Sequence, residues 1–96
     1  MNFGEALEML KEGKRVSRTG WNGRGMYIYY VPANNYKAVT DVTREEFGEE
    51  VPYQAYIAMK TTNNTVVPWL ASQTDLLADD WTTFLTLSVL PTETIL

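Results

Sequence analysis

Val16-Ser17-Arg18-Thr19-Gly20-Trp21-Asn22-Gly23-Arg24-Gly25-Met26-Tyr27-Ile28-Tyr29-Tyr30-Val31 is the stretch that decides the fold. Residues 26–31 read as a strand, β-branched or aromatic at every position after Met26, and residues 16–18 read as a short edge strand. Between them Asn22 and Gly23 form the dipeptide best able to adopt positive backbone torsions, which predicts a hairpin with Trp21 at its bend. Alternation along the second strand sends Tyr27 and Tyr29 to one face and Tyr30 to the other. An aromatic stripe of this kind is more often core or subunit interface than ligand platform.

Working outward, Phe3, Ala6, Leu7 and Leu10 recur at helical spacing, Asn2 with Glu5 has the form of a capping box, and Gly13 follows Lys11 as a stop. On the other side, residues 32–52 hold no sustained period. They carry Asn34, Asn35 and a Glu-rich patch, with a brief helical option where Thr43 could cap Glu46, and read as one long loop. Residues 55–60 and 65–67 read as two strands joined across Asn63 and Asn64, both tolerant of the left-handed region. Ser72 with Asp75 has the spacing of a second capping box and opens a short helix through Ala78, with Leu76, Leu77 and Trp81 expected to bury its face against the sheet. Residues 81–87 read as a closing strand. The result is an α+β domain: a small antiparallel twisted sheet with a short N-terminal helix and a short helix in the C-terminal half, over 1–96, with 87–96 a tail.

Composition narrows the chemistry. Ninety-six residues with 45% hydrophobic content suit one core. Eight Lys+Arg against 12 Asp+Glu give a net charge of −4, which disfavours duplex DNA as a partner. Without cysteine or histidine there is no disulfide, no thiolate nucleophile and no side chain titrating naturally near neutral pH. No apolar run is long enough to span a bilayer, and Glu5, Glu8 and Glu12 sit where a signal peptide would be basic and then apolar, so the expected location is the cytoplasm. Asp75, Asp79 and Asp80 are the nearest thing to a metal or hydrolytic cluster. Capping by Asp75 and a solvated helix end for the other two explain them more simply. The spacing of Gly20, Gly23 and Gly25 is not a dinucleotide fingerprint, since no strand-to-helix crossover follows.

Two segments suit a nucleotide. In residues 17–25 an indole lies beside Arg18 and Arg24, offering a base-stacking face and fork-shaped donors for phosphate. In residues 66–81, Pro68 and Trp69 offer an apolar wall ahead of a helix start. Asp75 already fills the first turn with negative charge, so an acceptor carboxylate for ribose hydroxyls or an exocyclic amine suits this segment better than a phosphate cradle. Both indoles could equally be core.

Taken together, Gly20-Trp21-Asn22-Gly23 and Pro68-Trp69-Leu70-Ala71-Ser72-Gln73-Thr74-Asp75-Leu76-Leu77-Ala78-Asp79-Asp80-Trp81 resemble a family of short phage and prophage proteins, long a domain of unknown function, that includes the second type of Thoeris anti-defence protein. The likeness covers roughly residues 2–81, with Tyr56-Ile57-Ala58-Met59-Lys60 also similar. It implies a homo-oligomer, a tetramer, whose pockets between protomers sequester without cleavage a cyclic ADP-ribose isomer made by a Toll/interleukin-receptor (TIR) domain enzyme. No catalytic residue, metal or cofactor is implied. Some relatives of this kind hold cyclic oligonucleotide signals at separate sites, and these residues decide neither for nor against a second site. Carried onto this chain, the resemblance singles out Trp21, Asn22, Gly23, Trp69, Ser72 and Asp75. The roles expected are stacking on adenine by Trp21 or Trp69, hydroxyl and amine contacts from Asn22, Ser72 and Asp75, and pyrophosphate contact from Arg18 or Arg24. The alternatives from other classes are a metal-dependent nucleotide hydrolase using Asp75 and Asp79, and a phage protein-interaction module.

Overall fold

Asn2 and Glu5 close a reciprocal cap, each side chain accepting the other's backbone N–H at 2.9 Å, and so start helix α1 (Phe3–Lys11). Gly13, at φ 89°, turns the chain out of the helix in the left-handed region. The computed structural model describes residues 1–21 and 24–84. Within them follow β1 (Val16–Arg18), β2 (Tyr27–Val31), β3 (Asn34–Lys37), α2 (Asp41–Phe47), β4 (Glu50–Tyr53), β5 (Tyr56–Lys60), β6 (Val66–Pro68), α3 (Gln73–Leu77) and β7 (Trp81–Thr83). The α+β reading holds: the main sheet is antiparallel, in the order β6-β5-β2-β1-β7.

β1 is not the expected edge strand. Trp81, Thr82 and Thr83 pair with Arg18, Ser17 and Val16, so β7 takes the edge and β1 lies between it and β2. A partner more than 60 positions away leaves no mark on the local pattern of residues 16–18. The link from β1 to β2 is also longer than a two-residue turn, running over 19–26; Trp21 does sit in it, while Asn22 and Gly23 lie outside the described residues. The second hairpin follows the sequence closely, with Asn64 at φ 61° between β5 and β6.

Residues 32–52 are not a structureless loop. β3 and β4 pair over four residues with α2 between them, capped by Thr40, whose Oγ1 accepts the Thr43 N–H at 3.2 Å. Thr43 is therefore inside the helix and does not cap it. Asn34 and Asn35, turn formers by propensity, are held extended against Tyr53 and Pro52. Ala38 and Val51 are buried there, and Tyr36 meets Tyr53 edge-on at 5.6 Å.

The principal core lies between α1 and the sheet: Ala6, Leu10, Val16, Ile28 and Trp81 form one buried cluster. Tyr27 and Tyr29 share a face, with ring centroids 6.1 Å apart, as alternation predicts. Of the three residues expected to bury the α3 face, only Trp81 does so. Leu76 is 47% exposed and Leu77 is 81% exposed, because a five-residue helix turns Asp75, not its leucines, toward β1 and β7. Residues 85–87 of the expected closing strand and the 87–96 tail lie outside the described residues. Among the described residues no helix is long and apolar enough to cross a membrane.

Candidate functional site

Trp81 is the hinge of the site. It is 1% exposed, begins β7, and donates from its indole Nε1 to the Asp75 carbonyl at 2.9 Å. The other two indoles pack edge-on against it, Trp21 at 5.3 Å and Trp69 at 6.0 Å between ring centroids, while Phe3 lies 5.3 Å from Trp81 and 6.0 Å from Trp69. Trp21 and Trp69 are each half-buried. The two segments singled out in the sequence therefore converge, through a shared third tryptophan.

Polar contacts fasten the same meeting point. Ser72 and Asp75 make the expected capping box, the Ser72 Oγ accepting the Asp75 N–H at 3.0 Å and the Asp75 Oδ2 accepting the Ser72 N–H at 3.1 Å. The other carboxylate oxygen, Oδ1, accepts from Arg18 Nη1 at 2.8 Å and from the Trp21 indole at 3.3 Å. Arg18 Nε also donates to Asp80 Oδ1 at 2.8 Å, and Asp80 Oδ2 accepts the Gly20 N–H at 2.8 Å. The Arg18 and Asp75 side chains are 16% and 13% exposed, so this pair is shielded, whereas Asp80 is more open at 31%.

The titration of these groups follows from their contacts. Burial pushes the Asp75 carboxyl up, but the bonds from Arg18, Ser72 and Trp21 together outweigh it and leave it below the ordinary carboxylate range. The Arg18 hydrogen bond, against a smaller opposing effect of burial, also lowers Asp80, and the two carboxylates raise Arg18. All three are charged at neutral pH. A carboxylate offers about four lone-pair positions; three on Asp75 are taken within the protein, which leaves one for a ligand. The Ser72 hydroxyl, accepting from Asp75, keeps its proton available to donate.

Arg18, expected as one of two phosphate contacts, has its guanidinium engaged by two carboxylates. Arg24 is exposed and makes no ion pair among the described residues. Asn22 and Gly23 lie outside those residues. Sequence reasoning missed Asp80, which it placed on a solvated helix end, and treated Gly20 as a turn residue only. A Cβ on Gly20 would come within 2.8 Å of Asp80 Oδ2, so glycine at 20 is the one local sign of that contact. Among the described residues no group of three or more acidic side chains is placed to hold a metal ion, and the position between Asp75 and Asp80 is filled by the guanidinium.

An open cleft of about 400 Å³ lies on the Trp69 side of Trp81, walled by Phe3, Leu7, Tyr30, Tyr56, Ile57 and Trp69, with Lys11 and Leu76 also lining it. Trp21, beyond Trp81, does not line it. A smaller hollow of about 270 Å³ is bounded by Gly13, Arg15, Tyr27, Tyr29, Lys60 and Val66. Tyr30 and Tyr29, adjacent on β2, thus serve opposite faces of the sheet.

Residues 1–84 match the family described as the Thoeris anti-defense 2-like domain. Among curated proteins the chain is similar to Thoeris anti-defense 2 of Bacillus phage SP01, 40% identical over 81 residues that cover 84% of this chain and 91% of the relative. The whole arrangement from Arg18 to Trp81 falls within the matched residues.

Proposed function

This chain belongs to the Thoeris anti-defense 2-like family, and we propose that it carries out its phage anti-defence role as a sponge, binding and sequestering a cyclic ADP-ribose isomer made by a TIR-domain enzyme without cleaving it. In this reading the protein is not an enzyme. It acts in the host cytoplasm as a homo-oligomer, a tetramer, and its ligand pockets are completed between protomers.

The observation that carries the reading is the convergence of Trp21 and Trp69 on Trp81, next to a largely apolar cleft of about 400 Å³. That size lies within the range of roughly 300–1,000 Å³ typical of small-molecule pockets. Trp69, which lines the cleft, supplies the stacking wall for adenine. In this reading Trp21, Ser72, Asp75 and Arg24, which lie outside the cleft of their own protomer, meet the ligand where a second protomer completes the pocket, the Ser72 hydroxyl and the remaining Asp75 lone pair at ribose hydroxyls or the exocyclic amine and Arg24 at the pyrophosphate. Arg18 contributes through Asp75. The hydrolase alternative, built on Asp75 and Asp79, is disfavoured because the Asp75 carboxylate is already engaged by Arg18, Trp21 and the Ser72 N–H.

The test is recovery of the ligand. A mixture of protein and cyclic ADP-ribose isomer, heat-denatured after binding is complete, is expected to return the isomer intact; a cleaved product overturns the sponge. Trp69→Ala is expected to weaken binding by roughly five- to 150-fold, the equivalent of about 1–3 kcal/mol per stacked base. Unchanged affinity would remove Trp69 from the pocket.

A further inference from the structure

The 18–21 bend is held to the start of β7 by a single residue. Asp80 uses its backbone carbonyl to accept the Thr19 N–H at 3.1 Å, its Oδ2 to accept the Gly20 N–H at 2.8 Å and the Thr19 hydroxyl at 3.4 Å, and its Oδ1 to accept Arg18 Nε at 2.8 Å. These contacts take over where the β1–β7 ladder ends, at Arg18 opposite Trp81. The bend then closes on itself, the Trp21 N–H donating to the Arg18 carbonyl at 3.2 Å. Its side chains reach the same place from the far end: Arg18 Nη1 and the Trp21 indole share Asp75 Oδ1.

We propose that Asp80 is a positioning residue of the ligand site, which, with the close approach that only glycine at 20 permits, fixes the bend so that the Trp21 indole stays edge-on to Trp81 with its N–H on Asp75. Three consecutive donors of the bend are fixed before any ligand arrives, so the ordering that binding would otherwise require is already complete. Asp80 need not touch the ligand to do this. The inference rests on the proposed nucleotide binding only for its effect on affinity; the fixing of Trp21 is a property of the free protein.

The experiment uses the full chain with its tryptophans labelled with ¹⁵N, in Asp80→Ala, Gly20→Ala and, as control, Asp79→Asn, whose side chain is exposed. In the free protein, the exchange of the Trp21 indole N–H with water is expected to rise about tenfold or more in the first two variants, the scale for losing hydrogen bonds to a charged group. The Trp81 indole N–H, bonded to the Asp75 carbonyl, should keep its rate, and the control should change neither. Affinity for the cyclic ADP-ribose isomer should fall by about tenfold alongside. Unchanged Trp21 exchange in both variants overturns the proposal. Equal acceleration of both indoles overturns it too, since Asp80 would then be a general stability contact. If the wild-type protein binds no cyclic ADP-ribose isomer, the sponge reading fails, and the exchange rates still decide the role of Asp80.

Discussion

Replacing Trp81 by phenylalanine tests whether this residue supports both halves of the site. Its indole is 1% exposed, contacts Phe3, Trp21 and Trp69, and donates at 2.9 Å to the Asp75 carbonyl. Phenylalanine loses that hydrogen bond, worth about 1 kcal/mol net. It also leaves roughly 40 Å³ unfilled, which at about 24 cal/mol per Å³ adds about 1 kcal/mol. The apolar ring area no longer removed from water contributes about 1 kcal/mol more. The loss of about 3 kcal/mol, at roughly 4–8 °C per kcal/mol for a domain of this size, lowers Tm by about 12–24 °C. The assay is thermal unfolding followed by near-UV circular dichroism at one fixed protein concentration, since oligomerisation would make Tm depend on concentration. The near-UV signal of the remaining indoles should weaken even well below Tm, because Trp21 and Trp69 lose the edge contact that orients them. A drop smaller than about 4 °C, equivalent to less than about 1 kcal/mol, would refute the placement of Trp81 at the centre of the packing.

Three further outcomes follow from the same contacts. Ser72→Ala removes the acceptor for the Asp75 N–H and should cost about 1 kcal/mol, read as a lower Tm; an unchanged Tm would mean the second capping box is not stabilising. The lowered carboxyls of Asp75 and Asp80 contribute stability that is fully present above the unfolded carboxylate pKa of about 4 and lost as pH falls through their folded values. The urea midpoint should therefore fall on acidification below about pH 4, and less so in Asp75→Asn; equal slopes in the two proteins would exclude Asp75 as a source of the dependence. Leu77→Ser, at a side chain 81% exposed, should change stability by less than about 0.5 kcal/mol, whereas Leu10→Ala, at 0% exposure, should cost about 2.7–5 kcal/mol by urea titration. A costly Leu77→Ser would restore the core role that its sequence spacing suggested.

What could be read from the sequence was what is settled within a few residues. Asn2 with Glu5 and Ser72 with Asp75 announce helix starts because both partners of each cap lie three positions apart, and Asn64 announces its turn because the positive φ is its own. β1 reads as a sheet edge from its own residues because its neighbour, Trp81–Thr83, arrives from the far end of the chain. Asn34 and Asn35 misled in the same way: their preference for turns is overridden by pairing with Tyr53 and Pro52, partners invisible to a local window. Arg18 shows the limit for a site. A guanidinium beside an indole reads as a phosphate contact, and only the fold brings Asp75 and Asp80, 57 and 62 positions on, to engage it. The choice between pocket and core for the two indoles was likewise not a local matter. Trp21 and Trp69 are half-buried, and each packs edge-on against Trp81, so part of each ring belongs to the packing. Core and candidate site are then one structure, and the stability of the Trp81 cluster sets how firmly Trp21, Trp69 and Asp75 are held.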